Sequence, residues 1–358
     1  MERRVFLGLS AAAIAALGSG AALAQGAGDD TAATVNTLAT LLENGYVIPE
    51  IGKRYAAMLR TNLAAGAYAG LGDPIALASR LTTDLAAVSA DRHLRVIPQA
   101  ALPPGEPVGG QPAPQPGARP SPAPQPGGPR PIRRASIEDA GWLAKDVAYI
   151  RYTGFTGDPA AVAATAEFMK THAAAKAVVI DCRYNNGGGI SEMNAMLPYL
   201  YGKPTTLVRM EMVDAVVKSR GGSPFDGDGF VRPAAGAAAG ISATEHYVVP
   251  KTDETRLFGA KVFYLTSTRT ASAAEHLALA FKRTKRATLI GEATAGANHF
   301  GGFESIGMGL AVFLPVGRTV DPDTGKDWEG TGIAPDVAVA PTLALEEALR
   351  RAGALSAV

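Results

Sequence analysis

Apolar residues recur at every third or fourth position along residues 31–89, the spacing of helices that bury one face. Three runs show it, and they carry Val35, Leu38, Leu41, Leu42 and Val47; Ile51, Tyr55, Met58, Leu59 and Leu63; and Leu77, Leu81, Leu85 and Val88. Pro74 follows Asp73 at the start of the third run, where a first-turn proline lacks an N–H that the helix does not need. The pattern predicts an N-terminal three-helix module over residues 29–98, ending in a short strand over His93–Ile97.

From Trp142 onward, short apolar runs alternate with helical ones, a pattern typical of an α/β domain. The predicted strands are Val147–Tyr152, Ala177–Asp181, Thr206–Met212, Lys261–Thr266, Ala287–Ile290, Phe303–Met308 and Ala311–Leu314. The predicted helices are Pro159–His172, Ile190–Leu200, Ala273–Lys285 and Thr342–Ala352. In such folds, chemistry is found where strand ends meet the following loops. Residues 135–358 are therefore predicted to form the functional domain.

Composition narrows the possible functions. The chain has 34 Lys and Arg against 33 Asp and Glu, so no overall field attracts nucleic acid or anionic lipid. With 19% charged residues and a mean hydropathy of +0.08, it is neither a disordered chain nor a multi-span membrane protein. The single cysteine, Cys182, excludes an internal disulfide and lies in a predicted strand, where an inert thiol is expected. No metal-binding spacing such as HExxH occurs, so neither a metal nor a cofactor is expected.

The first 24 residues have the pattern of an export signal. Arg3 and Arg4 precede the apolar run Val5–Leu23, and Ala22-Leu23-Ala24 offers small residues at a cleavage site. The paired arginines also resemble a twin-arginine signal, with an ordinary secretory signal as the alternative. Removal of residues 1–24 leaves a chain without a stable membrane span. The protein is therefore expected to be periplasmic or secreted.

Proline is concentrated in one segment. Thirteen of the 25 prolines lie between Pro98 and Pro131, among Gly, Gln and Ala. Proline removes backbone donors and favours extended, solvated chain, so this composition cannot build a core. Residues 99–134 are predicted to form a linker or a long loop.

Two loops of the α/β segment have the composition of a reactive site. The glycine loop, Ile180–Gly189 (IDCRYNNGGG), lies between a predicted strand and a helix. Its N–H groups could bind an anion or an oxyanion, and a tight turn without a ligand is the simpler alternative. Ser272 opens the helix in the second loop, Leu265–Lys282, either as an N-cap or as a nucleophile favoured by the helix dipole.

Four motifs, in this order, resemble peptidase family S41, which includes tail-specific proteases, the tricorn core and interphotoreceptor retinoid-binding protein. They are DCRYNNGGG, TASAAEHLA, ATLIGEATAGA (Ala287–Ala297) and EGTGIAPDV (Glu329–Val337). The resemblance covers roughly residues 142–345, and the helical module resembles the retinoid-binding-protein-like branch. It implies a ClpP/crotonase-like α/β core, a polypeptide substrate and a serine endopeptidase activity with Ser272 as the nucleophile.

A nucleophilic serine needs a base. Tail-specific members use a lysine after the GE-T motif, but Ala297 stands at that position here, so a Ser–Lys dyad is not expected. The tricorn-like arrangement uses a histidine from the end of the N-terminal region, and His93 matches that position. His299, His276 and the absence of any base remain alternatives. His172 and His246 lie in no motif and are expected at the surface.

The same resemblance assigns supporting roles. Glu329 matches the late carboxylate that orients the histidine, although it could also be a plain turn residue. Arg92 departs from the tricorn pattern, which has a serine before the histidine. For the oxyanion, the resemblance implies N–H groups of Gly187 or Gly188 together with that of Ala273.

A second hypothesis comes from the same family. The retinoid-binding relatives use this fold to carry lipids, so the chain could be a non-catalytic carrier of apolar ligands. No segment between Pro98 and Trp142 has the strand pattern of a PDZ domain, so recognition of substrate C-termini is not expected. Glu275, in the nucleophile helix, is expected to fix local geometry rather than to catalyse.

Overall fold

The structure is a computed structural model that describes residues 30–102, 108–109 and 136–355. The predicted signal, residues 1–24, and most of the proline-rich segment 99–134 lie outside the described residues. The chain folds into two compact units. The first comprises the chain through Ser89, Leu94–Gln111 and Gly302–Leu314, and the second comprises Ala90–His93, Pro112–Gly301 and Pro315–Val358. In the described part of the chain, no helix is both long enough and apolar enough to cross a bilayer.

The first unit contains the predicted three helices, α1 (30–45), α2 (Pro49–Ala64) and α3 (Pro74–Val88). Their facing sides are buried, and the largest fully buried side chains include Leu38, Leu42, Tyr55, Leu59, Leu77 and Leu81. Asp73 caps α3 by accepting the Ala76 N–H at 3.1 Å, with Pro74 in the first turn as predicted. The N-terminal helical module is therefore confirmed.

Two short strands complete the first unit. Strand β1 (Arg95–Pro98) pairs antiparallel with Leu310–Phe313, and β2 (Val108–Gly109) pairs parallel with Phe303–Glu304. The strand predicted to begin at His93 begins two residues later, because the His93 N–H donates to the Asp91 side chain at 2.8 Å and holds a turn. Within the predicted linker, Gln99–Ala101 forms a 3₁₀ turn and β2 is a strand.

A mostly parallel sheet forms the core of the second unit, in the order β13-β10-β9-β5-β4-β3. Its strands are β3 (Ile137–Ala144), β4 (Val147–Tyr152), β5 (Ala177–Asp181), β9 (Lys261–Thr266), β10 (Thr288–Gly291) and β13 (Val337–Ala338). Only β3 runs antiparallel to its neighbour among these pairs. The accompanying helices are α4 (Pro159–Thr171), α5 (Ser191–Leu200), α7 (Ala273–Thr284) and α8 (Ala344–Ala352). The α/β prediction is confirmed, and β4, β5 and β9 have the predicted limits.

A second set of strands in this unit is antiparallel. It contains β6 (Thr205–Val213), β7 (Val231–Pro233), β8 (Ile241–Val248) and the end of β12 (Leu310–Val320), which pairs with β6 through Gly317–Val320. Strand β11 (Phe300–Gly307) precedes β12, and the short helix α6 (Asp214–Ser219) follows β6. Strand β6 is one residue longer than predicted at each end.

The sequence did not predict β3, β7, β8, α6 or β13. Strand β3 lies at the edge of its sheet, and none of its residues is buried, so no apolar alternation marks it. In β8, Ala243, His246 and Val248 are buried, but polar and short side chains between them hide the period.

Candidate active site

Ser272 lies in a sharp turn between β9 and α7. Its backbone has φ 54° and ψ −121°, in the left-handed half of conformational space that a non-glycine residue rarely adopts. The residues that follow β5 hold this turn in place, because the Thr270 hydroxyl donates to the Cys182 carbonyl at 2.8 Å. The Ser267 hydroxyl likewise donates to the Arg183 carbonyl. The half-buried serine is thus fixed at the first turn of α7.

The glycine loop packs directly on this serine. A Cβ on Gly187, at φ +100°, would lie 2.7 Å from the Ser272 Cβ, and one on Gly188, at φ +130°, would lie 1.9 Å from the Phe155 carbonyl oxygen. The Ala271 N–H also donates to the Asn185 carbonyl at 3.0 Å. Glycine is required at both positions, since any side chain would push the loop away from Ser272.

Two N–H groups near Ser272 have no acceptor among the described residues, those of Gly188 and Ala273. The Gly187 N–H, in contrast, donates to the Asn185 side chain at 2.8 Å. Ala273 is the first residue of α7, where the helix dipole favours negative charge. Gly188 and Ala273 therefore fit an oxyanion site, and Gly187 supports the loop.

Glu275, one turn into α7, is fully buried and accepts four hydrogen bonds. Its Oε2 accepts the N–H groups of Ser272 and Ala297 at 2.9 and 2.8 Å. Its Oε1 accepts the Thr294 hydroxyl and the Gly296 N–H at 2.6 and 2.7 Å. An ionised carboxylate accepts all four donors, so it ties the nucleophile turn to the segment Thr294–His299, here called the bridging loop.

The bridging loop continues to a second carboxylate. The next two N–H groups, of Asn298 and His299, both donate to Glu329 Oε2, at 2.6 and 3.2 Å. The other oxygen of Glu329 accepts the Arg92 N–H at 2.8 Å, next to His93. Four consecutive N–H groups, from Gly296 to His299, are thus divided between Glu275 and Glu329.

His93 lies in a compact group with two carboxylates. One ligand atom each of Asp91, His93 and Glu329 lies within 4.8 Å of the others. Asp91 accepts the His93 N–H at 2.8 Å and contacts His299 Nδ1 at 2.7 Å. These four residues, the histidine cluster, belong to the same compact unit as Ser272.

The histidine cluster is also the one grouping of three possible metal ligands among the described residues. The sequence showed no metal spacing, because Asp91 and Glu329 are brought together only by the fold. Both carboxylates already accept hydrogen bonds on both oxygens, from His93, His299, Arg92 and Asn298. The arrangement therefore fits the orientation of a histidine.

Two groups of the cluster have shifted pKa values. Burial is the largest influence on His299 and lowers its pKa, but the hydrogen bond and charge of Asp91, with Glu329 and Asp327, raise it overall. Burial raises the pKa of Glu329, partly opposed by the Arg92 N–H. His299 is therefore biased toward the protonated form that donates to Asp91.

His276 belongs to a different polar chain. Its Nε2 lies 2.8 Å from His246 Nδ1, and His246 Nε2 lies 2.8 Å from Asn194 Oδ1. Asn194 donates to the Asp228 carboxylate at 3.1 and 3.3 Å. Burial lowers the pKa of His276 to about 4, and burial with the nearby His276 lowers that of His246. The surface position expected for His246 is wrong: the side chain is fully buried on the inner face of β8.

A small cavity of about 60 Å³ opens beside Ser272. Its walls are largely apolar, with a few polar side chains, and its lining comprises Gly188, Gly189, Ile190, Met210, Phe225, Ser272, Ala273, His276, Asn298, Phe300, Thr319 and Trp328. A cavity next to a candidate nucleophile and two unpaired N–H groups can receive the side chain of a residue whose carbonyl Ser272 reaches.

The sequence predicted roles for Ser272, His93, Glu329 and the glycine loop, and it assigned no role to Asp91 or Trp328. Asp91 stands two residues before His93 in SADRH, where an aspartate that caps its own turn could have been noticed. Trp328 directly precedes Glu329, and no pattern in the sequence of this loop predicts that its side chain is buried. Cys182 is fully buried and burial raises its pKa to about 12, as expected for an unreactive thiol.

Comparisons with known proteins show the family of the chain. The sequence profile described as peptidase family S41 matches residues 146–339, more than half of the chain. A second profile, the N-terminal domain of S41 peptidases in eukaryotic IRBP, matches residues 29–126.

Similar solved structures support the fold. A protein described as a peptidase from Parabacteroides merdae is 16% identical, with a TM-score of 0.53 over 87% of this chain and 90% of its own. A lipoprotein from Streptococcus agalactiae is 14% identical, with a TM-score of 0.50 over 90% and 96%. The photosystem II D1 C-terminal processing protease is 22% identical, with a TM-score of 0.41, and covers 58% of this chain. The chain spans less than half of that protease, 46% of its length.

Proposed function

The chain belongs to peptidase family S41 and is a serine-type peptidase, and we propose that it cleaves polypeptides internally with Ser272 as nucleophile, His93 as general base and Glu329 as the supporting carboxylate. The observation that carries this proposal is the surroundings of Ser272. A serine in a strained turn at a helix start lies near the N–H groups of Gly188 and Ala273, neither of which has an acceptor in the part of the chain that the structure describes. A serine that acted only as a helix cap would need neither the strain nor the free donors.

The proposed reaction is acyl transfer. Ser272 Oγ attacks the carbonyl carbon of the scissile peptide bond while its proton passes to His93. The negative charge on the carbonyl oxygen is stabilised by the N–H groups of Gly188 and Ala273. His93 returns the proton to the leaving amine, which departs as the C–N bond breaks. Water, deprotonated by His93, then hydrolyses the acyl-enzyme and restores Ser272.

Glu329 has two supporting contacts in this scheme. It lies near His93, where its charge favours the imidazolium that forms during attack. Its Oε1 accepts the Arg92 N–H, and the tricorn pattern has a serine at that position. The main-chain N–H of Arg92 is available whatever the side chain, so the departure at Arg92 leaves this contact in place.

The other histidines fit the base role less well. The Nε2 atom of His276 is hydrogen-bonded to His246, and a pKa of about 4 makes His276 a weak proton acceptor at neutral pH. His299 contacts Asp91 through Nδ1, and its pKa is raised, which favours a positioning role toward Asp91 and His93. His299 remains the alternative base that the experiment must separate from His93.

We also propose that the enzyme acts outside the cytoplasm, in the periplasm or after secretion. The support is the signal pattern of residues 1–24, which lie outside the described residues. Mass spectrometry of the N-terminus of the protein recovered from a cell envelope fraction tests it. A mature chain that still begins at Met1 would contradict this part of the proposal.

Covalent labelling tests the catalytic assignment. The purified chain is incubated with a fluorophosphonate, and the mass of the intact protein is measured for the wild type and for Ser272→Ala, His93→Ala and His299→Ala. We expect one adduct on the wild type, none on Ser272→Ala, and labelling slowed at least about 100-fold in His93→Ala, the lower end of a base's contribution. His299→Ala is expected to label faster than His93→Ala.

The result also separates the enzyme from its non-catalytic rival. A wild type that is not labelled, although it is folded by circular dichroism, would favour a carrier of apolar ligands on the same fold. The reverse order of the two histidine variants would make His299 the base. Labelling that persists in Ser272→Ala would show that the nucleophile lies elsewhere.

A further inference from the structure

The polar chain behind the cavity fixes the protonation of His276. The Asp228 carboxylate only accepts hydrogen bonds, so the Asn194 amide must turn its NH₂ group toward Asp228 and its oxygen toward His246. His246 must then donate from Nε2, because an amide oxygen only accepts. Neutral His246 therefore has an unprotonated Nδ1, which accepts from Nε2–H of His276.

This leaves Nδ1 of His276 as an acceptor. His276 is neutral as well, since burial strongly disfavours its charged form. Among the described residues no hydrogen bond reaches its Nδ1, and the side chain lines the cavity beside Ser272. The four-residue chain from Asp228 to His276 thus leaves a lone pair without a partner on a residue that lines the cavity.

Trp328, which lines the same cavity, carries a hydrogen-bond donor instead of an acceptor. Its side chain lines the cavity and is 4% exposed, yet within the described part of the chain its indole Nε1–H has no acceptor. An unpaired buried donor costs free energy that a bound acceptor recovers. Two residues of the cavity lining, Trp328 and His276, thus each carry a polar atom without a hydrogen-bond partner among the described residues, amid otherwise largely apolar walls.

From these observations we propose that the cavity selects substrates with a side-chain carboxamide, asparagine or glutamine, at the acyl residue, meaning the residue whose carbonyl Ser272 attacks. The carboxamide oxygen accepts from Trp328 Nε1–H, and its NH₂ donates to His276 Nδ1. This inference rests on the proposed function, since it requires that Ser272 attacks a peptide carbonyl.

Other side chains satisfy the cavity less well. An aliphatic side chain leaves both polar atoms unpaired, and a carboxylate brings a charge toward the lone pair of His276. A hydroxyl has one oxygen, which must reach both partners at once. The cavity is small, at about 60 Å³, which suits a short side chain better than a large ring.

Peptide hydrolysis tests the inference directly. Internally quenched peptide libraries are made with the acyl residue fixed as Asn, Leu, Asp, Gln or Met and the other positions randomised. We expect kcat/KM for Asn to exceed that for its isostere Leu, or Gln to exceed Met, by at least about ten-fold, as two recovered hydrogen bonds imply. Asp is expected to be the poorest of the five.

Variants of the two tryptophans identify the donor. Trp328→Phe keeps an aromatic ring and removes the N–H together with the five-membered ring, so the ratio of Asn to Leu hydrolysis is expected to fall toward one. Trp142→Phe is the matched control, because Trp142 is 51% exposed and lies outside the cavity. An unchanged ratio in Trp328→Phe would overturn the donor assignment.

The remaining outcomes are distinguishable. Cleavage without a preference for Asn or Gln overturns this inference and leaves the peptidase proposal intact. Absence of both cleavage and fluorophosphonate labelling overturns the proposed function itself. If Trp328→Phe does not fold, ¹⁵N NMR of histidine-labelled wild type decides: a protonated Nδ1 on His276 would contradict the inference.

Discussion

Two buried glutamates allow a sharp test of how the nucleophile turn is held. Glu275 and Glu192 are both fully buried, and both are next to loops of the candidate site. Glu275 accepts two donors on each oxygen. Glu192 accepts three donors on Oε1, the Ser136 hydroxyl and the Gly157 N–H at 3.0 Å and the Thr156 hydroxyl at 3.4 Å, whereas Oε2 has no partner among the described residues. The same change to glutamine should therefore have different consequences.

In Glu275→Gln, the new NH₂ group faces two N–H groups at the Oε2 position, or one N–H group and the Thr294 hydroxyl at the Oε1 position. A hydroxyl can turn to accept and an N–H cannot, so one or two hydrogen bonds to a charged acceptor are lost, at about 1.5–3 kcal/mol each. The expected loss in the free energy of unfolding is therefore about 1.5–6 kcal/mol. In Glu192→Gln, the amide oxygen can keep the position of Oε1, and the NH₂ replaces an atom that makes no hydrogen bond. The expected loss is about 1 kcal/mol or less.

Urea denaturation measures both values. Trp142 and Trp328 belong to the same compact unit as the two glutamates, so tryptophan fluorescence reports unfolding of that unit. Fluorophosphonate labelling of the same samples reports the position of Ser272, whose N–H donates to Glu275. Labelling is expected to slow in Glu275→Gln at urea concentrations where the protein is still folded.

The reasoning fails if Glu275→Gln loses no more stability than Glu192→Gln. Equal losses would mean that the four donors around Glu275 find other partners or water without cost. A large loss in Glu192→Gln alone would mean that burial of the charge, and not the number of donors, decides the outcome.

Further predictions concern a close backbone approach and the buried histidines. Gly188→Ala is expected to abolish labelling, because its Cβ would lie 1.9 Å from the Phe155 carbonyl oxygen and the backbone there has φ +130°. Gly189→Ala is the control and should retain labelling, since the nearest atom to its Cβ would lie at 3.9 Å. Equal labelling of the two variants would refute the steric argument. Since folding lowers the pKa of His276 from 6.5 to about 4, its contribution to stability is present above pH 6.5 and is lost as pH falls toward 4. From pH 7 to pH 5 the loss is about 2 kcal/mol for this group, and urea unfolding at both values should show a smaller pH dependence in His276→Gln, whose amide can still donate to His246. An undiminished pH dependence in that variant would contradict the assignment.

Much of the fold could be predicted, because it follows from side-chain periodicity. The helices of the first unit bury stripes of leucine at helical spacing, and β5 is a continuous apolar run between two neighbours. Ser272 and the glycine loop were also found, since serine at a helix start and three adjacent glycines are residue types with a local meaning.

The connections between these parts could not be predicted, because main-chain donors have no residue signature. The residue types of the bridging loop do not indicate that its N–H groups donate to Glu275 and Glu329. The same holds for Asp91, whose contact with His299 joins residues 208 positions apart. These contacts depend on where the fold brings the backbone.

His246 shows how one missed strand leads to one wrong residue. Without β8, the histidine had no predicted face and was assigned to the surface. Once β8 is recognised, His246 and Val248, two residues apart, are expected on the same buried side of the strand. A buried polar side chain is expected to have a hydrogen-bond partner. That partner is His276, and the polar chain behind the cavity follows from it.

The division of the bridging loop between two carboxylates has a consequence for variation at these positions. Because Gly296 to His299 contribute peptide groups, the link does not depend on which side chains stand there, except for proline, which has no N–H. The link does depend on the number of residues, because inserting or deleting one residue between Ala297 and Asn298 would shift the donors to Glu329 relative to the donors to Glu275. Among homologous peptidases, the length of this segment should therefore be more constrained than its residue identities.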